Sequence, residues 1–144
     1  MKTENYSVVY KAIVGRKDGH SVTNALAKRL QENPYISVSV FLKSLDKRDL
    51  EHLIDIGEKI KKEGLSSVKD IHDAKEFVLI SSMLVQGEGV DIPLNENTIP
   101  IIASRFFAFL NLEYLGRMGM VSVCYEHMSF DKDMDNMTIA RRVI

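Results

Sequence analysis

Side chains able to do chemistry are few in this 144-residue chain and widely spaced. The histidines are His20, His52, His72 and His127, and Cys124 is the sole cysteine. One cysteine excludes an internal disulfide and a cysteine-cluster zinc site. No Ser-His-Asp or Cys-His order carries the local signature of a nucleophile beside its base. The nearest approach to a metal site is Asp70, His72, Asp73 and Glu76 on one predicted helix. There His72 and Glu76 share a face at i, i+4, where two ligands can converge on a divalent ion. No second histidine or cysteine is in register, so a polar helix surface is expected and no metal is assigned. Asp131-Lys-Asp-Met-Asp-Asn136 opens like a calcium loop, with carboxylates at positions one, three and five. Asn136 then replaces the sharp-turn glycine and Arg142 the bidentate glutamate, leaving an acidic turn that discourages edge-to-edge association. Gly15, Gly19 and Ser21 have the composition of a phosphate-binding loop. The spacing is one residue short and His20 stands where lysine is required, so a plain turn is expected. The expectation is a non-enzyme, with no catalytic residue and no cofactor.

Cationic and sulfur-bearing side chains point instead to contact with a partner. Arg16, Lys17, Lys28 and Arg29 form the best basic cluster, Arg105 and Arg117 lie on a predicted helix, and Arg141 and Arg142 lie near the C-terminus. All eight are candidates for nucleic-acid or partner contact. A net charge of −1 supplies no global field for a polyanion, the first 65 residues being slightly basic and the remainder slightly acidic. Asp131, Asp133 and Asp135 would repel phosphate. Met128, Met134 and Met137 flank the acidic turn and, if exposed, mark an interface, whereas Met118 and Met120 are expected to fill the core.

The element expected to organise the rest runs over about 98–118, reading TIPIIASRFFAFLNLEYLGRM. Apolar residues cover nearly its whole circumference, the pattern of a buried helix. Arg105, Asn111 and Glu113 interrupt any run long enough to span a bilayer. Thr98 is the expected N-cap, Pro100 sits in the first turn, and Gly116 and Gly119 end the helix. Upstream, Tyr6 to Val14 alternates like a strand, and Ser21 or Thr23 caps a short helix to Leu30 with Val22, Ala25, Leu26 and Leu30 inward. Residues 35–45 fit both strand and helix, the preferred reading being a helix capped by Ser37. Asp46 caps a longer helix striped by Leu50, Leu53, Ile54, Gly57 and Ile60 and stopped at Gly64, and the two should form a hairpin-like pair. Ser67 caps a further helix, apolar toward its C-terminal end. Met120 to Tyr125 and Thr138 to Val143 read as two strands of a hairpin.

Together these make a single α+β domain, mostly helical: an N-terminal strand and helix segment (6–33), a helical pair (37–64), and a part spanning 68–143 built around the central buried helix with a C-terminal β-hairpin. Helix, loop, long helix, glycine turn and hairpin resemble the C-terminal part of a winged-helix domain. That resemblance implies a helix in the DNA major groove and a hairpin touching backbone. The preferred function is a small non-catalytic regulatory or adaptor protein that binds another protein. The alternative is a winged-helix-like DNA-binding transcriptional regulator acting as a homodimer, and a small metal-dependent enzyme using the 70–76 cluster comes third. No signal peptide or membrane span is read, so a cytoplasmic location is expected.

Overall fold

The computed structural model describes Glu32 and residues 36–63, 71–88, 92–130 and 140–142, with the side chains of 71–75, 86 and 140–142 outside that description. The expected N-terminal strand and helix, the stop at Gly64, the cap at Ser67 and the acidic turn at 131–136 lie outside the described residues.

Helix α1 is Val38–Ser44. The strand-or-helix ambiguity resolves because Val38, Phe41 and Leu42 bury one helical face while Val40 stays exposed. Ser37 caps it, its hydroxyl accepting from the Val40 amide at 3.3 Å. Two residues later α2 occupies Lys47–Glu63. The Asp46 carboxylate accepts from the Asp49 amide at 2.7 Å, and its carbonyl receives the first helical bond, from Leu50. Leu50, Leu53, Ile56 and Gly57 are buried, while Ile54 and Ile60 are only partly so. Despite the short link, α1 docks on the last long helix rather than folding back along α2, so the hairpin-like pairing is not adopted.

Helix α3 is Ile71–Gly87, and every residue from Ile80 to Val85 is buried. Its C-terminal half is therefore enclosed on all sides. Helix α4, Ile99–Arg117, packs against α1, α2 and α3, which makes it the hub its apolar circumference predicts. Its burial is less complete than expected: Ile101 is 62% exposed and Pro100 and Ser104 also face out. The cap differs too. Thr98 already has helical dihedrals and makes no capping bond, its hydroxyl donating to the Pro93 carbonyl. Asn95 does the capping, its side-chain oxygen accepting from the amides of Asn97 and Thr98 at 2.8 and 3.1 Å.

At the other end, the amides of Gly119 and Met120 reach back to the carbonyls of Gly116 and Leu115, a Schellman closure. Gly119 takes φ +74, a conformation costly for any residue with a Cβ. The chain emerges into β1, Val121–Val123, which pairs antiparallel with β2, Ala140–Arg142, in the register Val121 opposite Arg142. The expected strand to Tyr125 stops early, because Tyr125–His127 form a 3-10 turn. Met118 and Met120 are exposed (58% and 53%), since the closure swings them away from the core they were expected to fill. Met128 is buried instead.

The core is aromatic at its centre. Phe106 lies 5.0 Å from Phe77 and 6.2 Å from Phe41 between ring centroids, and Phe130 meets Phe109 edge-on at 5.4 Å. Two tie points give the sense of α2 against α4. Leu45, just before α2, is bonded by Arg117 at the end of α4, whereas Gly57 abuts Phe107 one helical stretch earlier. The two helices therefore run antiparallel. No helix among the described residues is long and apolar enough to cross a membrane.

Candidate functional site

Between α2 and α4 opens a groove of about 1020 Å³. It follows α4 from Ile99 to Leu115, about 24 Å at 1.5 Å per residue. Phe77, Ala103 and Leu112 form a buried floor; Ile60, Phe107 and Leu115 form half-buried walls; Lys61, Glu96, Pro100 and Ser104 stand exposed on the rim. Its width depends on Gly57, where a Cβ would collide with the Phe107 ring. The Asn111 amide group donates to the Phe107 carbonyl at 2.9 Å, so this polar liner is engaged within its own helix. The groove is thus an apolar trough, with its two charged liners on its rim.

Beside the C-terminal end of the groove, α4 carries a polar cluster. Glu113 is 3% exposed in an otherwise apolar helix, a placement that requires partners. Arg117 supplies one, its Nε donating to the carboxylate at 2.5 Å, and the Tyr125 hydroxyl donates to the other carboxylate oxygen. The same guanidinium donates through Nη2 to the carbonyls of Leu42 and Leu45 at 2.9 and 2.6 Å. These carbonyls lie at the C-terminal end of α1, where the Leu42 carbonyl also accepts from the Leu45 amide at 3.2 Å. Lys43 stands 4.4 Å over the Tyr125 ring, a cation–π contact that adds a second tie between α1 and the 3-10 turn. Burial and the adjacent Glu113 carboxylate push the Tyr125 phenol well above its usual range, with Arg117 pulling the other way.

A third polar contact holds the segment after the 3-10 turn. The Glu88 carboxylate accepts from the Ser129 hydroxyl and the Phe130 amide at 3.0 and 3.1 Å, while Arg105 donates to the Phe130 carbonyl at 2.5 Å. Met128 and Phe130 then enter the core.

The structure separates the residues singled out in the sequence. Arg105 and Arg117, expected to meet a nucleic acid or partner, are turned to internal acceptors, because each carbonyl or carboxylate removed from water needs a donor. Met128, an expected interface residue, is core. Arg16, Lys17, Lys28, Arg29, Met134 and Met137 lie outside the described residues, as do the side chains of Arg141, Arg142, His72 and Asp73. Glu76, the other member of the suggested metal pair, is buried at 5% exposure. Among the described residues no cluster of His, Cys, Asp or Glu could hold a metal ion. Cys124 is half-buried between β1 and the 3-10 turn.

Sequence reasoning missed the groove and the Glu113 cluster. The cluster had a signal: a glutamate with an arginine four residues later, inside an apolar helix. The groove had none, since it is bounded by two helices more than 30 residues apart in the chain. Comparison with models of protein families, with curated proteins and with solved structures found no match to this chain.

Proposed function

We propose that the protein is a small non-catalytic regulatory or adaptor protein of the cytoplasm that acts by binding another protein through the α2–α4 groove. The observation carrying this reading is the groove itself: a trough of about 1020 Å³ with apolar floor and walls, exposed along one side of the central helix. Apolar surface of that extent is costly to leave in water and contributes to affinity when covered. Ser104 is exposed at its rim, so Ser104→Arg obstructs the groove with little effect on folding. The wild-type chain should retain a protein from its own cell lysate that S104R does not, with unchanged circular dichroism. Identical retained proteins would reject the reading.

A winged-helix-like DNA-binding regulator is the second reading. In its favour, α3 and α4 are followed by an antiparallel β1–β2 pair, and β2 contains Arg141 and Arg142. Against it stand the internal engagements of Arg105 and Arg117. Fluorescence anisotropy with mixed-sequence duplex DNA across a salt series separates the two. Affinity falling steeply with salt favours the regulator, and no binding at low salt removes it.

A further inference from the structure

We propose that the groove accepts one amphipathic α-helix of a protein partner, about four turns long, apolar on one face and bearing an acidic and a basic residue at one end. This rests on the protein-binding reading and specifies the partner's chemistry.

Shape comes first. The α4 wall is built from two adjacent i, i+4 rows, one beginning at Ile99 and the other at Pro100, and it runs unbroken to Leu115. Rows of this kind form ridges and grooves into which the side-chain ridges of another helix fit. A complementary helix of about 16 residues matches the 24 Å trough. Small residues at the floor and rim, Ala103, Ser104 and Ala108, permit close approach of a second backbone. Other common modes of peptide capture fit less well. Strand addition needs an open sheet edge, and every described segment bounding this groove is a helix or the turn that starts one. Polyproline segments dock between aromatic rings, and here Phe77 is sealed into the floor, leaving Phe107 as the only aromatic wall among the described residues.

Charge then orients the occupant. Among the described residues Lys61 and Glu96 are the only charged groove liners, and both are exposed. Glu96 precedes α4, and Lys61 lies one turn beyond Gly57, which by the antiparallel arrangement is toward the N-terminal end of α4. Both charges therefore mark one end. No ion pair engages either among the described residues. At the opposite end the described liners, Leu112 and Leu115, are uncharged. A helix with an acid for Lys61 and a base for Glu96 at one end, and aliphatic anchors along the rest, is complementary throughout.

The test is selection of random 16-residue peptides displayed on phage against the full chain, counter-selected on S104R. Enriched peptides are expected to space apolar residues at i, i+3 or i+4, and i+7, to gain helical circular dichroism on binding, and to lose at least tenfold in affinity on S104R. Lys61→Glu should weaken them several-fold, with recovery when the peptide's acidic residue is changed to lysine. Groove-dependent peptides that are proline-rich or extended would overturn the helical occupant while leaving the protein-binding reading intact. Dimerisation in sedimentation that S104R abolishes would assign the groove to a second copy and overturn the proposal. No S104R-sensitive peptide at all would reject both the occupant and the groove as a protein-binding surface.

Discussion

Two parts of α4 follow opposite rules. Along Ile99 to Leu115 the side facing α2 is largely apolar and open; at Glu113 and Arg117 the charged side chains of the same helix are engaged by partners within the fold. By the usual partition the charged end should face water and the apolar stretch should be covered. The inversion has a physical cause in each case. Glu113 is held inward because the Arg117 guanidinium, reaching from the last turn, bonds its carboxylate together with the Leu42 and Leu45 carbonyls where α1 ends. On the apolar side α2 meets α4 closely where Gly57 abuts the Phe107 ring, and a trough remains alongside. Polar side chains here fasten the fold, and apolar ones face outward where a partner would add cover.

Adjacent phenylalanines give the largest test of this contrast. Phe106 is fully buried between Phe41 and Phe77, so Phe106→Ala should destabilise by about 3–5 kcal/mol in urea denaturation. Phe107→Ala, one residue on but at the groove wall, should cost less, about 1–2 kcal/mol, since its ring is only partly buried. Equal losses would mean that the groove is closed in solution.

Arg117→Ala should cost about 3 kcal/mol, because it leaves Glu113 buried without a cation and removes the guanidinium bonds to the Leu42 and Leu45 carbonyls. The combined variant with Glu113→Gln should recover part of that loss. A change under about 0.5 kcal/mol would identify the cluster as an incidental surface contact.

Tyr125→Phe should remove about 1–2 kcal/mol by deleting the bond to Glu113. The phenol also titrates later in the folded state than in the unfolded one, so the native protein holds more protons above the ordinary tyrosine value. Its contribution is complete below about pH 10 and is lost as pH rises beyond that value. Wild type should therefore lose stability between about pH 9.5 and 11 more steeply than Y125F in parallel denaturation curves. Coincident slopes would place the hydroxyl in water.

The smallest effect belongs to Ser104→Arg, which should change the unfolding free energy in urea denaturation by less than about 0.5 kcal/mol, as for exposed sites generally. A larger loss would show that the rim supports folding and would disqualify this variant as a probe of binding.

Much of the fold was legible locally. Ser37, Asp46 and the closing glycines announced helix boundaries, and the circumference of 98–118 announced the hub. The misreadings share one origin. Thr98 lost the cap to Asn95, three residues upstream, because the turn at 95–98 already winds as helix. Met118 and Met120 moved outward with the chain reversal at Gly119, while Met128 followed the 3-10 turn inward.

Periodicity, capping chemistry and charge act within a few residues, and from these the sequence by itself determined that the chain is mostly helical, that 98–118 is its centre, and where several helices begin. Only the tertiary structure decided which side chains of that centre are closed and which are open. Exposure depends on partners distant in the chain: the bonds from Arg117 to Leu42 and Leu45 span 75 and 72 residues, and the groove lies between helices separated by a third one.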